Sequence, residues 1–168
     1  VLICGNHDAV GERAIDYLIE KCDYFNIHYL HHTYTEIEDI KIFGSPYTPT
    51  FGDWYFNKNR NKLDKYWSKV DEDVDIFICH GPPKGILDLS YDYTHKLKYC
   101  GDKALFNHIT QRIKPKFMLF GHIHNNKDII NAGILKPSAY DTIFSNGSVV
   151  TDGKFGSLSS NGNILNYE

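Results

Sequence analysis

Three apolar, strand-like runs in this sequence each end at a short loop that contains histidine. The first run is followed by Gly-Asn-His-Asp at residues 5–8, the second by His-Gly-Pro-Pro at residues 80–83, and the third by Gly-His-Ile-His at residues 121–124. Imidazole nitrogens and side-chain oxygens are suitable ligands for divalent Zn, Fe, Mn and Co. The pattern therefore indicates a metal site assembled by loops from distant parts of the chain.

The candidate metal ligands are Asn6, His80, His122 and His124. His122 and His124 are two positions apart, so on an extended segment both imidazoles point to the same side, where each could face one of two adjacent ions. The alternative is that such a pair lies on the surface and that His80 only hydrogen-bonds a carbonyl at the end of its strand. The Gly-Pro-Pro after His80 has restricted backbone angles, which would hold a ligand loop still.

His7 and Asp8 are the candidate catalytic residues. A carboxylate beside an imidazole can accept its N–H, fix its tautomer and raise its basicity, as a proton donor to a departing alkoxide requires. The alternative is ordinary turn chemistry, because asparagine tolerates left-handed backbone and hydrogen-bonds to its own backbone in turns.

The elements that must position these loops follow an α/β pattern. Short apolar runs predict buried strands at residues 1–4, 75–79 and 116–120, and apolar residues at helical spacing predict a helix over residues 11–22. Alternating residues 27–43 predict a hairpin that turns at Glu-Asp. Because ligands in layered α/β proteins bind at the carboxyl ends of strands, the histidine loops are expected at one edge.

The remaining segments are less regular. Residues 61–70 predict a short helix, residues 81–101 a long loop, and Asp102 the cap of a following helix. Residues 133–146 and 149–165 predict further strands, interrupted by Asn-Gly and Asp-Gly turns.

Composition limits the class of protein. The 168 residues, 42% of them hydrophobic, predict a single domain over residues 1–168. A formal net charge of -3 without a Lys/Arg block argues against binding to duplex nucleic acid. No apolar stretch approaches the roughly 20 residues of a membrane helix, and no signal peptide opens the chain. Four cysteines without zinc-type spacing indicate a reducing compartment, so a cytoplasmic location is expected.

Taken in order, the three histidine loops resemble those of the calcineurin-like metallophosphoesterase superfamily. Gly-Ser-Pro-Tyr at residues 44–47, Gly-Asp-Trp-Tyr-Phe-Asn at 52–57 and Phe-Ser-Asn-Gly-Ser at 144–148 are similar to its metallophosphoesterase-domain-containing branch, which is class III cyclic nucleotide phosphodiesterase-like. The resemblance covers nearly the whole chain. It implies an α/β fold in which a layered β-sheet sandwich is flanked by helices.

The resemblance also implies a ligand set for two divalent ions. Asn6, His80 and His122 would bind one ion and His124 the other, the metals being Mn, Fe or Zn. His7 would contact the phosphate and help the leaving group depart.

Asp8 would orient His7. The implied reaction is the hydrolysis of a phosphodiester similar to a cyclic nucleotide by a metal-activated hydroxide. The implied partner is a small phosphodiester or nucleotide substrate.

The sequence departs from the superfamily pattern at its start. Neither an Asp-x-His nor a Gly-Asp motif occurs before Gly5, although these motifs supply an Asp and a His to the metal site of His124 and the carboxylate that bridges both ions. One explanation is a fragment without its first strand-loop-helix units, which would be less active than an extended chain. The other is a catalytically impaired binding or scaffold protein that keeps the fold.

Overall fold

The structure, a computed structural model, describes residues 1–92, 94–126, 128–152 and 156–167. Its main element is a six-stranded sheet with strand order β1-β2-β5-β8-β10-β9. The six strands are β1 (Thr33–Ile37), β2 (Ile40–Ser45), β5 (Ile76–Cys79), β8 (Phe117–Phe120), β9 (Gly133–Leu135) and β10 (Ile143–Asn146). The predicted α/β class is confirmed.

The four central strands β2, β5, β8 and β10 are parallel, and the two edge strands are antiparallel to their neighbours. In register, Ser45 pairs with Cys79, and Asn146 pairs with Phe120. The carboxyl ends of the four strands therefore meet at one edge of the sheet, which brings the loops that follow them together.

The first two strands form the predicted hairpin. Its turn residues Glu38 and Asp39 have φ values of 50° and 62°. Two successive positive φ angles match the right-handed twist of a tight hairpin. The turn predicted at Glu-Asp is thus confirmed.

Helices cover the sheet and its loops. The predicted amphipathic helix is present as α1 (Val10–Arg13) and α2 (Ile15–Tyr24), separated at Ala14, whose φ of -146° and ψ of 51° are not helical. A 3₁₀ turn at Arg60–Lys62 leads into α3 (Leu63–Trp67), as predicted for residues 61–70.

The helix predicted after Asp102 is also present. α4 (Lys103–Asn107) continues as a π-helical segment at His108–Ile113. The Asp102 carboxylate accepts from the backbone N–H groups of Ala104 and Leu105, so it caps the helix as predicted. It also accepts from Trp67 Nε1 at 2.6 Å, which joins α4 to α3.

Two sequence predictions need correction. Residues 1–4 do not form a regular strand: Leu2 makes an isolated parallel bridge to Tyr29, because its backbone hydrogen bonds reach only His28 and Leu30. The long loop predicted at residues 81–101 contains a two-stranded ribbon, β6 (Leu89–Tyr91) paired with β7 (Leu97–Tyr99). A second short ribbon pairs β3 (Thr48–Pro49) with β4 (Asn57–Lys58).

The carboxyl-terminal prediction is confirmed in part. Residues 133–146 contain β9 and β10. Residues 153–155, within the strand predicted over 149–165, lie outside the described residues. The described remainder of that segment contributes isolated bridges, such as Val150 to Leu158, where a regular strand was predicted.

The hydrophobic core lies between the sheet and the helices α3 and α4. Its buried members are Phe43, Leu63, Trp67, Val70, Val74, Phe77, Cys79, Ile86, Leu105, Ile109, Ile113, Met118, Phe120 and Phe144. Most of these residues come from the central strands and from the helices that pack on them, and Val70, Val74 and Ile86 come from connecting segments. Such close packing fixes the strands relative to one another, and with them the loops at their carboxyl ends.

Candidate metal centre

The sheet edge brings three of the predicted ligands into contact. The backbone ladder continues past the strand ends, since His80 N–H donates to Ser45 O at 3.0 Å and Gly121 N–H donates to His80 O at 3.1 Å. His80 therefore stands beside the loop that carries His122. The centroids of these two imidazoles are 4.7 Å apart.

Asn6 completes the cluster from the first loop. Its side chain is buried, at 4% exposure, and its Oδ1 lies 2.7 Å from His80 Nε2 and 3.1 Å from His122 Nδ1. Because a carboxamide oxygen only accepts hydrogen bonds, both ring nitrogens carry a hydrogen in this arrangement. One oxygen and two nitrogens thus converge from residues that are 74 and 116 positions apart.

The two imidazoles are neutral at physiological pH. Burial, together with smaller contributions from the nearby imidazoles of His122, His7 and His124, lowers the pKa of His80 to about 3. Burial also lowers the pKa of His122 to about 4, with smaller contributions from His124 and His7. Neutral imidazole is the form that binds metal, so a divalent ion could enter without a net loss of protons, once each ring hydrogen has moved from the nitrogen that faces Asn6 to the other ring nitrogen.

The donor atoms fit a single divalent ion. Ligand atoms bonded to one such ion at about 2.0–2.2 Å lie about 3 Å from each other. The separations of 2.7 and 3.1 Å around Asn6 Oδ1 agree with that spacing. Among the described residues, no group of three or more His, Cys, Asp or Glu side chains is placed to hold a metal, so this site depends on the amide oxygen of Asn6.

His124 lies in the same loop, two residues after His122. It lines a cavity of about 370 Å³ together with His122. Its Nδ1 is 3.6 Å from Asp152 Oδ1, a carboxylate that the sequence analysis did not single out. The structure therefore places His124 near the other three residues, and outside their direct contacts.

His7 and Asp8 occupy the turn that presents Asn6. The carboxylate of Asp8 accepts the backbone N–H of Gly5 at 2.7 Å, and the Asp8 N–H donates to Gly5 O at 2.9 Å. Asp8 thus closes the turn, whereas the sequence analysis expected it to accept from the imidazole of His7. The exposed His7 ring instead contacts Trp54 edge-on, with centroids 4.4 Å apart.

Gly5 is a further residue of the site that sequence reasoning missed. A Cβ at this position would lie 2.5 Å from His80 Cε1 and 2.7 Å from His80 Nδ1. The backbone of the first loop can approach the His80 ring only because residue 5 has no side chain. The glycine was visible in the sequence, but its contact joins two loops that are far apart along the chain.

Comparisons with known proteins agree with this fold. Residues 1–126 match the calcineurin-like phosphoesterase family, so the chain belongs to this family. The predicted superfamily and its metallophosphoesterase-domain-containing branch are thereby confirmed, and family membership supports a phosphoesterase-type function.

The relatives are longer proteins. The chain is 35% identical over 127 residues to metallophosphoesterase domain-containing protein 1 of Homo sapiens, covering 75% of this chain and 36% of that protein. It is 33% identical over 113 residues to UPF0046 protein T07D4.2 of Caenorhabditis elegans, covering 66% of this chain and 27% of that protein. The chain thus spans about a third of the length of these relatives.

A solved crystal structure shows the same fold. It superimposes with a TM-score of 0.57 at 19% identity, covering 87% of this chain and 56% of that one. Among the helices that the structure of this chain describes, none combines the length and apolar character needed to cross a bilayer.

Proposed function

We propose that this chain carries the core of a metal-dependent phosphodiesterase site. The observation that supports the proposal is the position of Asn6 Oδ1 between His80 Nε2 and His122 Nδ1. The three side chains come from three separate loops, and each of them is buried or partly buried at the carboxyl edge of the sheet. Ligands in this class of fold bind at that edge.

Asn6, His80 and His122 would hold one ion of Mn, Fe or Zn, and His124 would contribute to a second. Divalent ions bound there would withdraw electron density from the phosphoryl oxygens and lower the pKa of the attacking water. The chain itself supplies neutral imidazoles and a buried amide oxygen, held in place by the strand ends before they meet a ligand.

His7 is proposed to give a proton to the departing alkoxide. Its ring is exposed to the surface where substrate would arrive, and it is adjacent in sequence to the ligand Asn6. The hydrogen bonds between Asp8 and Gly5 fix the turn, and the edge contact with Trp54 restricts the ring. A positioned general acid of this kind contributes about 10²- to 10⁴-fold to rate.

The proposed substrate is a small phosphodiester or nucleotide. The cavity beside His122 and His124 has a volume of about 370 Å³, which suits a small ligand. Its walls include the aromatic rings of Phe51 and Tyr91 and the cationic side chain of Lys98. A cytosolic location is consistent with the described cysteines, all of which are free thiols.

The test compares two phosphodiesters that differ in their leaving group. Bis-p-nitrophenyl phosphate releases a phenolate that needs no proton, whereas a nucleoside cyclic phosphate releases an alkoxide that does. With Mn²⁺ present, we expect the chain to hydrolyse both. His7→Ala should cost little with the aryl ester and about 100-fold or more with the nucleotide.

The exposed His28, which hydrogen-bonds Thr35 at 2.8 Å, is the matched control, and His28→Ala should leave both rates unchanged. Equal losses with the two substrates would refute the role of His7. A lack of any Mn²⁺-dependent hydrolysis of either ester would refute the phosphodiesterase proposal itself.

A binding or scaffold protein is the second candidate. The observation in its favour is that the imidazole of His124 faces Asp152 at 3.6 Å, in an ion-pair geometry, while Asn6, His80 and His122 face one another. In this alternative the cluster holds one structural ion without turnover. Mn²⁺ binding without hydrolysis of either ester would favour it.

A further inference from the structure

Two buried asparagines lie behind the loop that carries His122 and His124. Asn146, at the end of β10, is 0% exposed, and Asn131 is 2% exposed. Neither is a candidate ligand, because their side chains face the backbone of this loop. Buried carboxamides of this kind are retained only when their hydrogen bonds are made.

Each asparagine bridges the same two segments. Asn146 Nδ2 donates to Ile123 O at 2.9 Å and to Leu87 O at 3.1 Å. Asn131 Nδ2 donates to His124 O at 2.8 Å and to Leu89 O at 2.9 Å. Two successive carbonyls of the histidine loop are thus tied to two carbonyls of residues 87–89.

The segment at residues 87–89 is itself fixed by hydrogen bonds. Asp88, which lies between the two bridged carbonyls, is 1% exposed. Its Oδ2 accepts from Gly101 N–H at 2.8 Å and from Gly85 N–H at 3.1 Å. A movement of the histidine loop would therefore have to break bonds to an anchored segment.

The loop needs this support because His122 has an unfavourable backbone conformation. Its φ is +68°, and the Ile123 N–H donates to Gly121 O at 2.8 Å, which closes a three-residue turn around His122. A positive φ at the centre of such a turn is strained for a residue with a Cβ. Strained residues persist only where their surroundings determine the conformation.

We propose that Asn146 and Asn131 are positioning residues that hold the strained turn at His122 in the orientation that places its Nδ1 beside Asn6. The proposal rests on the proposed function, since the orientation matters for a bound divalent ion. In metal sites, groups that orient the ligands typically change metal affinity by about 10- to 100-fold when they are removed.

The experiment compares Asn146→Ala and Asn131→Ala with Asn163→Ala. Asn163 is a matched control, because its Nδ2 also donates to three partly buried or buried acceptors, Gly133 O, Ser145 Oγ and Asn146 O, none of which belongs to the histidine loop. Mn²⁺ affinity is measured by calorimetry and fold stability by thermal unfolding. We expect affinity to fall about 10- to 100-fold in the first two variants and less than about twofold in the control.

A second measurement needs no metal. In the metal-free protein, long-range ¹H–¹⁵N correlation spectra report which imidazole nitrogen carries the hydrogen. Wild type and Asn163→Ala should show one tautomer of His122, protonated at Nδ1, while Asn146→Ala should show an exchange-averaged ring. If Asn146→Ala does not fold, Asn131→Ala provides the same comparison.

The outcomes separate the two proposals. The positioning role would be overturned if Mn²⁺ affinity fell in proportion to thermal stability in all three variants and the His122 spectrum did not change. A wild-type chain that binds no Mn²⁺ would contradict the proposed function, and the spectra of the metal-free variants would still decide whether the asparagines hold the turn.

Discussion

The backbone of Gly5 lies against the imidazole of His80, so closely that a Cβ at residue 5 would be 2.5 Å from His80 Cε1. This contact joins the first histidine loop to the second. Because the two loops approach so closely, the side chain of the next residue, Asn6, reaches His80 Nε2. The geometry of the proposed metal site therefore depends on a residue that contributes no ligand atom.

Gly5→Ala should displace the ring of His80. The added methyl group overlaps a buried side chain, and such overpacking costs about 1–3 kcal/mol in free energy of unfolding. We expect Mn²⁺ affinity to fall as well, because His80 moves away from Asn6. Urea unfolding and calorimetric titration measure the two effects.

Gly121→Ala is the control for this prediction. It alters the loop of His122, but its Cβ would have Ser148 Oγ as its nearest neighbour at 3.6 Å, an ordinary contact. A Gly5→Ala protein that binds Mn²⁺ as tightly as the Gly121→Ala protein would show that the contact with His80 is unimportant.

Fold stability should fall in mild acid because of His80. Its pKa is lowered to about 3 by burial and by neighbouring imidazoles, whereas an unfolded histidine titrates near about 6.5. Between these values the unfolded state binds the extra proton. The stability that neutral His80 contributes is therefore complete above about pH 6.5. It is lost as the pH falls toward 3, at up to about 1.4 kcal/mol per pH unit.

His80→Gln removes this proton uptake. The free energy of unfolding of this variant should change less steeply with pH than that of wild type between about pH 6.5 and about pH 4. The upper limit is the pKa of a free imidazole, about 6.5, and the lower limit is the pKa of His122, about 4. Some slope should remain, because His122 still titrates. Denaturant unfolding at several pH values measures the slopes, and parallel curves for the two proteins would disprove the prediction.

Metal affinity should resist acid for the same reason. Protons compete for His80 and His122 only near their pKa values of about 3 and about 4. We expect Mn²⁺ affinity to change little between about pH 7 and pH 5, whereas two ordinary imidazoles would already be largely protonated at the lower value. Calorimetric titrations across this range check the prediction, which fails if affinity drops steeply below about pH 6.5.

Asp102 should be important for stability and not for chemistry. Asp102→Ala removes the cap of α4 and leaves Trp67 Nε1, which is buried, without its acceptor. Loss of a cap costs about 1 kcal/mol, and an unsatisfied buried donor costs about 1–3 kcal/mol more. Urea unfolding measures the sum, and a change below about 0.5 kcal/mol would contradict the assigned role.

Much of the fold could be predicted from local pattern. The hairpin turn at Glu38 and Asp39, the cap at Asp102 and the buried strands before His80 and His122 each depend on a few adjacent residues. The convergence of the loops that carry His80 and His122 followed from one general rule, that parallel strands end at the same edge.

Other features depend on contacts across the chain and could not be predicted this way. His7 meets Trp54 because a distant loop folds over it. The bonds from Asn146 to Ile123 likewise require the register of β10 on β8. Sequence spacing contains no signal for such tertiary pairs.

The most direct test of the central claim is anomalous diffraction from crystals of the chain soaked in Mn²⁺. The account predicts one anomalous peak bonded at about 2.0–2.3 Å to Asn6 Oδ1, His80 Nε2 and His122 Nδ1. Asn6→Ala crystals soaked in the same way should lose the peak. Anomalous peaks found only away from Asn6, His80, His122 and His124, or no peak at Mn²⁺ concentrations that saturate calorimetric binding, would contradict this assignment.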